Sequence, residues 1–458
     1  MPRLALCVIA KNEAQFIGGC IASAADAVDQ VIVVDTGSTD DTVEIAKRHG
    51  ATIVNFPWVD DFSRARNAAL PHVQADWVLI LDADERLASG AGPSLKAAAA
   101  SNQFDCGLLP LHNASSLDAS EADVLIGKAR MGEPLLLPRL FRYTQDLRWE
   151  GAIHELPTSW MKARGRTASE VPAPIIHFGS IPSVRARLKK DVRNLELLKM
   201  RCRENPRDHI GRTYLARELV RVGDIAGARD TVDQAWELRR AEGLEGGGLI
   251  PLATLRSHLQ LQAGDGRGAL ETMNEAARHS PPHPNIDLIQ GAALELLAAQ
   301  EPPHRRAHLE GAKGAFINAT KHHGKRFSEE VLPGGTSWVA ATRLAVVLIQ
   351  LGDPESALYV IDRTLKEQPK HADAILTRIE ALIALGRNRD ALTEVEGALP
   401  INTGDSWLLA AICCDNLGAT NEAKMFIERA ASRQEAGFTI SPHRAETFRQ
   451  LHERLFSP

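Results

Sequence analysis

The first 85 residues limit the possible folds most strongly, because short apolar runs alternate there with helix-length intervals. The runs have strand length and are bounded by polar residues, a pattern typical of buried strands. They occupy positions 6–10, 30–34, 51–56 and 77–81. Strands that alternate with helices in this way predict an α/β domain built on a parallel sheet.

Polar residues stand directly after these runs. Asn12 and Glu13 follow the first run, Asp35 follows the second, and Asp82 and Asp84 follow the fourth. In open parallel sheets ligands bind beyond the carboxyl ends of the strands. Mg²⁺ is commonly held by one or two carboxylates together with substrate phosphates. Asp82 and Asp84 therefore predict a site for Mg²⁺ or Mn²⁺ beside a bound diphosphate.

Four phrases carry a family resemblance. They are Ala-Lys-Asn-Glu at 10–13, Val-Val-Asp-Thr-Gly-Ser-Thr-Asp-Asp-Thr at 33–42, Asp-Phe-Ser-Arg-Ala-Arg-Asn at 61–67 and Leu-Asp-Ala-Asp-Glu at 81–85. In this order they resemble the family-2 glycosyltransferases of the A-type nucleotide-diphospho-sugar fold. The resemblance implies an α/β nucleotide-sugar transferase domain with a mostly parallel sheet.

The second part of the chain is rich in Ala and Leu and contains a recurring glycine. Gly223, Gly264, Gly352, Gly386 and Gly418 are each followed five residues later by Ala. This phase predicts tetratricopeptide-like helix pairs, in which Gly permits the turn and Ala permits close packing. An unrelated helical bundle with Gly at its turns is the alternative. We predict a catalytic domain at 1–180, a helical linker at 181–205 and an all-α repeat solenoid at 206–458.

The resemblance implies roles for the nucleotide-facing residues. Asp35 would meet the base, Asn12 and Glu13 would lie against the nucleoside, and Arg66 would brace the nucleotide or the acidic loop. Asp82 would approach the ribose and the metal. Each has a plainer alternative: residues 38–41 also suit helix capping, and an arginine is often simply solvated.

The same resemblance places the cation on Asp84, with His177 as a further ligand from the end of the last apolar run. Imidazole is an accepted ligand for such ions, although a histidine beside a strand is often structural. An inverting transferase also needs a base that deprotonates the acceptor. Glu155 is the preferred base, followed by His154 and Glu150, and a structural polar pair at a strand end is the alternative.

These residues predict a metal-dependent inverting glycosyltransferase that moves one sugar from a UDP-sugar to a peptide or protein held partly by the repeats. Repeats joined to such a domain resemble the branch with sublancin-type peptide S-glycosyltransferases and lipopolysaccharide-core transferases. One alternative is therefore a lipopolysaccharide-core or other glycan acceptor, with the repeats serving a homodimer or membrane docking. A second alternative is a non-catalytic repeat scaffold.

Composition narrows the partners. The 458 residues carry 53 basic and 58 acidic side chains, a net charge of −5, so no general attraction to nucleic acid is expected. We find no apolar run long enough for a transmembrane helix and no signal peptide at the first run. The six cysteines are scattered without metal-binding spacing, which favours a cytoplasmic location.

Overall fold

The computed structural model describes residues 2–101, 103–164, 168–187, 190–245, 247–325, 327, 329–398, 403–435 and 440–456. The chain divides into two compact units, which we describe separately. Unit 1 contains Met1–Leu255 together with Arg326–Leu332, and unit 2 contains Arg256–Lys325 together with Pro333–Pro458. Unit 1 thus extends past residue 180, and the predicted domain boundaries stay predictions.

Unit 1 is built around one mixed sheet with the strand order β3-β2-β1-β4-β7-β6-β9-β5, and β8 pairs with β6. The strands are β1 (Leu4–Ala10), β2 (Gln30–Asp35), β3 (Thr52–Asn55), β4 (Trp77–Asp82), β5 (Glu85–Leu87), β6 (Cys106–Asn113), β7 (Leu135–Arg142), β8 (Ser169–Glu170) and β9 (Ile175–His177).

The four strands predicted from the apolar runs are β1 to β4, and all of their mutual pairings are parallel. The other half of the sheet contains antiparallel pairs, namely β4 with β7, β6 with β7 and β5 with β9. Strand β6 pairs in parallel with β8 and β9. Parallel pairs outnumber antiparallel ones, so the predicted fold class is confirmed.

Helices cover both faces of the sheet, which explains why the strands read as continuous apolar runs. In β1, Leu4 and Leu6 pack into the core on one face, and Ala5 and Cys7 pack into the core on the other. The helices of unit 1 are α1 (Ile17–Ser23), α2 (Thr42–Arg48), α3 (Phe62–Ala69), α4 (Ala91–Ser101), α5 (Glu121–Leu125), α6 (Thr158–Arg164), α7 (Pro182–Arg187), α8 (Lys190–Glu204), α9 (His209–Arg221), α10 (Ile225–Glu242) and the first part of α11 (Leu249–Gln262).

The secondary-structure elements in the described residues of unit 2 are all helices. After the end of α11 it contains α12 (Gly266–His279), α13 (Pro284–Gln300), α14 (Arg305–Thr320), α15 (Trp338–Leu351), α16 (Pro354–Glu367), α17 (Ala372–Ala384), α18 (Asn388–Ala398), α19 (Gly404–Asn416), α20 (Thr420–Glu435) and α21 (Ala445–Phe456). Within the described ranges of the whole chain, no helix combines the length and apolarity needed to cross a bilayer.

The recurring glycines lie at the turns between helices, as predicted. All five have positive φ angles, between 72° at Gly386 and 85° at Gly352 and Gly223, a conformation that costs other residues energy. The alanines five residues later are completely buried at the helix contacts; they are Ala228, Ala269, Ala357, Ala391 and Ala423. The tetratricopeptide-like packing is therefore confirmed at these turns.

Three of these turns are also capped by their own aspartate. Asp224, Asp265 and Asp353 each accept a hydrogen bond from the backbone amide three residues later. This side-chain acceptor satisfies one of the free amides in the first turn of the second helix. The turn and the start of that helix are therefore specified by local sequence.

Candidate functional site

A cavity of about 1290 Å³ opens in unit 1 at the carboxyl ends of β1 and β4. Five of the residues predicted from the strand ends lie in its wall, namely Asn12, Glu13, Asp82, Asp84 and His177. The structure therefore brings together side chains from three separate strands of the sheet. The volume exceeds the range of roughly 300–1,000 Å³ that is usual for small-ligand pockets.

Asp82 ends β4 and is held by two arginines. Its Oδ1 accepts from Arg66 Nη2 at 2.8 Å, and its Oδ2 accepts from Arg139 Nη2 at 3.3 Å. Burial opposes ionisation, but these two guanidinium groups hold the pKa of Asp82 well below its usual range. Asp82 is therefore a fixed carboxylate whose two oxygens are already engaged.

Glu85 shares this arginine and is 1% exposed. Arg139 Nη2 donates to its Oε1, and its Oε2 accepts from the backbone amide of Asp82 at 3.0 Å. Burial raises the pKa of Glu85 to about 8 against the attraction of Arg139. Glu85 thus fixes the backbone at the end of β4 through the amide of Asp82. Arg139 was missed by the sequence analysis, although a charged residue inside the Leu-rich run of β7 was a usable signal.

Asp84 and His177 face one another across the strand end. Asp84 is 5% exposed, and its Oδ1 lies 3.6 Å from His177 Nε2. His177 Nδ1 lies 2.7 Å from Asn113 Oδ1, a contact that orients the ring with Nε2 on the Asp84 side. Ser180 Oγ also donates to Asn113 Oδ1, at 3.0 Å.

Asp84 and His177 together offer a partial set of ligands for a divalent cation. The described residues contain no group of three or more His, Cys, Asp or Glu side chains arranged to hold a metal. Two donors of the right type, one carboxylate and one oriented imidazole, suit an ion whose remaining ligands come from a diphosphate and water. Asp84 and His177 fit Mg²⁺ or Mn²⁺ on these terms, and their ligand roles stay predictions.

Asp35 lies beside the cavity and is engaged by its own loop. Its carboxylate accepts from the amides of Gly37 at 3.1 Å and Ser38 at 3.2 Å, and Thr36 is the neighbour that lines the cavity. Asn12 has a φ of 56° and accepts from the amide of Thr39 at 2.8 Å. These contacts fix the loop at residues 35–39 beside the cavity. Recognition of the nucleotide base by Asp35 stays a prediction.

The three candidate bases lie in the loop at residues 149–156, called here the 149–156 loop, and they occupy different environments. Glu155 lines the cavity, and its Oε1 accepts from Arg66 Nε, with both side chains less than a tenth exposed. Arg66 therefore bridges Glu155 and Asp82. Glu150 pairs through its backbone with Leu156 and stands outside the cavity wall.

His154 lines the same cavity as Glu155, next to Tyr214 of α9. Its φ of 53° is unusual for a residue other than glycine, and its ring stacks on Tyr214 of α9 with centroids 3.8 Å apart. The protein groups packed around the ring, followed by the positive charges of Arg201, Arg217 and Arg221, lower the pKa of His154, although the residue keeps an exposed surface. His154 is therefore neutral at physiological pH.

Helix α3 holds the other side of the 149–156 loop. Asn67 donates to the carbonyl of Trp149 at 3.0 Å and accepts from its amide at 2.9 Å. The amide of Phe62 donates to the carbonyl of Ala152 at 2.8 Å. The phrase at 61–67 thus clamps the loop, and Asp61 starts the helix by accepting from the amide of Arg64.

Arg193 of α8 also lines the cavity and was missed by the sequence analysis, because nothing in the local sequence ties it to the sheet. Its guanidinium lies 5.2 Å from the ring centre of Phe62. Removal from water lowers the pKa of Arg193, and the charges of Glu13, Asp84 and Asp82 counteract this effect. These carboxylates therefore attract the Arg193 guanidinium toward the strand end.

Comparison with known protein families assigns most of the sheet to one family of domains. Residues 5–155 match the profile of Glycosyl transferase family 2. Residues 5–155 form a family 2 glycosyltransferase domain. Residues 348–411 match a Tetratricopeptide repeat profile, in agreement with the helix pairs of unit 2. The glycosyltransferase domain includes Asp82, Asp84 and Glu155, whereas His177, Arg193 and Tyr214 lie beyond the matched residues.

Three relatives support this assignment. A TPR repeat-containing protein of Synechococcus elongatus is 32% identical over 53% of this chain and 58% of its own length. The prophage-derived glycosyltransferase SunS of Bacillus subtilis is 27% identical over 48% of this chain and 49% of its own length. An uncharacterized glycosyltransferase of Rickettsia felis is 44% identical over 19% of this chain and 30% of its own length. The matches thus span between 30% and 58% of these relatives.

Proposed function

We propose that the protein is a metal-dependent inverting glycosyltransferase that moves one sugar from a UDP-sugar to a peptide or protein acceptor. The observation that carries the proposal is the pairing of Asp84 with an oriented His177 in a large cavity of a family 2 glycosyltransferase domain. When bound, Mg²⁺ or Mn²⁺ would neutralise the diphosphate of the donor.

The protein groups divide the work at the donor. Asp84 and His177 would hold the cation, and Asp82, fixed by its two arginines, would face the ribose. Arg193 supplies a positive charge on the cavity side, where it would pair with the diphosphate as negative charge develops on it. The departing diphosphate then takes the electron pair of the bond that it shared with the anomeric carbon.

Glu155 is the proposed base. Its Oε1 is bound by Arg66, so Oε2 would take the proton from the acceptor while the acceptor atom attacks the anomeric carbon. His154 is the second candidate; it lines the same cavity, and its ring is stacked on Tyr214. Glu150, outside the cavity wall, is the third.

A polypeptide acceptor is favoured by the far end of the cavity. Helix α9 contributes Ile210 and Tyr214 to the wall, and the 41% exposed side chain of Ile210 offers an apolar contact. The same wall carries Glu242 and Glu245 beside Arg217 and Arg239, and this mixed charge suits a polypeptide better than a uniformly anionic glycan core. The six cysteines are free thiols, which supports a cytoplasmic location.

The test is calorimetry with UDP and a panel of UDP-sugars, with and without Mn²⁺. We expect Mn²⁺-dependent binding that Asp84→Asn weakens by about 10–100-fold, because one of two protein ligands is lost. Asp118→Asn, a change at an exposed residue away from the cavity, is the matched control. Equal Mn²⁺-dependent binding by both variants would remove Asp84 from the metal site. Absence of donor binding to the unaltered protein would favour the scaffold alternative.

A further inference from the structure

The 149–156 loop is attached to two helices that lie beyond the matched glycosyltransferase residues. Arg201 of α8 donates from Nη1 to the carbonyl oxygen of Ile153 at 2.6 Å. Its Nε donates to Asp208 Oδ2, also at 2.6 Å. The side chains of Arg201 and Asp208 are 16% and 11% exposed, so solvent screens this pair weakly.

Asp208 is itself fixed by helix α9. Its Oδ1 accepts from the amide of Gly211 at 2.7 Å, which caps the start of α9. A Cβ atom at Gly211 would lie 3.0 Å from Arg201 Nε and 2.6 Å from Asp208 Oδ2. A side chain at position 211 would thus displace Arg201 or Asp208, and the arrangement links the cap of α9 to the backbone of the loop through one guanidinium.

An apolar cluster reinforces the same junction. Ile153 is 4% exposed and packs with Leu197 and Leu198 of α8. Tyr214 of α9 packs against this cluster and also stacks on His154, the next residue of the loop. Two consecutive loop residues are thus held by α8 and α9 immediately before Glu155.

The backbone conformation at His154 gives these contacts a consequence. With a φ of 53°, this residue turns its own ring toward α9 while Glu155 turns toward Arg66. A left-handed conformation at a residue other than glycine or asparagine is costly and persists where neighbouring contacts enforce it. Arg201 and Tyr214 are the contacts on the α8–α9 side.

We infer that Arg201 and Tyr214 are positioning residues that hold Glu155 in its working geometry from helices α8 and α9. This inference rests on the proposed function, and it makes the first helices after the sheet part of the catalytic machinery. Because Tyr214 also lines the cavity, an acceptor seated against α9 would touch the group that sets the loop. A displacement of about 1 Å in such a group costs up to 100-fold in rate.

The first experiment measures UDP release from a UDP-sugar by the full-length protein, with water as the acceptor. Arg201→Met should lower kcat at least 10-fold while the dissociation constant of UDP with Mn²⁺ changes less than twofold. Arg203→Met, on the exposed side of α8 and outside the cavity wall, is the matched control and should keep kcat within twofold. Arg201→Lys should recover only part of kcat, since one amine cannot place two donors in a fork.

Tyr214 provides a second pair of variants. Tyr214→Leu removes the stacked ring and should lower kcat without weakening UDP binding, and Tyr214→Phe, which supplies an aromatic ring again, should recover most of that loss. Thermal unfolding identifies any variant that fails to fold. Equal kcat values for Arg201→Met and Arg203→Met would overturn the inference.

Hydrogen exchange gives a readout that needs no turnover. Amides of residues 149–156 should exchange faster in Arg201→Met than in Arg203→Met, because the loop loses its α8 attachment. If the unaltered protein releases no UDP from any donor, the proposed function fails, and exchange still decides the positioning role. Unchanged exchange in Arg201→Met would reject that role.

Discussion

Arg66 shows how much of the site depends on one buried side chain. Arg66 is 8% exposed as a residue. Its guanidinium binds both Asp82 at the end of β4 and Glu155 in the 149–156 loop. Burial opposes the charge, but Glu155 and Asp82 raise the pKa of Arg66 above its ordinary value. Removal of this cation would take away the guanidinium group that the two carboxylates share.

Substitution of Arg66 by Met should destabilise unit 1 by about 3–5 kcal/mol, the usual cost of an uncompensated buried charge. Arg64 is the matched control, because it lies on the same helix with a 71% exposed side chain. Arg64→Met should change stability by less than about 0.5 kcal/mol. Thermal unfolding of both variants measures the difference, and similar melting temperatures would show that Arg66 is not needed to balance the two carboxylates.

Part of the site was predicted from the polar residues that directly follow the apolar runs. Asn12, Glu13, Asp82 and Asp84 could be found because β1 and β4 are long apolar runs with clear ends. Glu150 could not be separated from Glu155 by sequence, since only the folded loop shows which of the two faces the cavity.

Helix pairs are specified by small residues at their contacts. Gly291 of α13 faces Phe316 of α14, and a Cβ atom at position 291 would lie 2.5 Å from the Phe316 ring. Phe316 is completely buried, so the ring has little room to move away. The close approach of α13 and α14 therefore requires glycine at this point.

The chain offers a matched pair of glycines for a test. Gly291→Ala should destabilise unit 2 by about 1–3 kcal/mol through overpacking. Gly314→Ala, on α14 with open space around its Cβ position, should stabilise by about 0.5–1 kcal/mol, because alanine is the better helix former. Denaturant unfolding reports both values, and a neutral Gly291→Ala would mean that the helices can separate without cost.

Helices and strands were predicted correctly where the sequence marks both the element and the turn beside it. The turns with Gly and a later Ala were found, whereas α13 and α14 are joined through Pro302 and Pro303 and carry no such phrase. Strand β8 has two residues, too few to show a period, whereas β9 was found as the last apolar run, which ends at His177. The antiparallel pairings of β7 were also missed, since an apolar run does not reveal the direction of its neighbour.

Across the whole molecule, the functional unit is larger than the matched domain. The glycosyltransferase profile ends at residue 155, but the cavity wall continues through α8 and α9 to Pro251 within unit 1. We therefore expect both the sheet and the following helices to contribute to the binding free energy of a substrate in this cavity.

Hydrogen exchange with UDP and Mn²⁺ should reveal this extent. Ligand binding stabilises the segments that it contacts, so amides near Asp82 and in the N-terminal half of α8 should both exchange more slowly. Helix α20 in unit 2 contributes no residue to the cavity wall, so it serves as an internal reference and should show no change. Protection confined to residues 5–155 would argue against a donor contact by Arg193.

The capped turns of the repeats bear on how such a chain can change over evolutionary time. Asp224, Asp265 and Asp353 each satisfy the helix that begins beside them, within a few residues of the glycine that makes the turn. Duplication or loss of one of these three turns together with its second helix would therefore carry the amide acceptor along with the helix that needs it. The helical region could change in length by such a step without altering a residue at the strand ends.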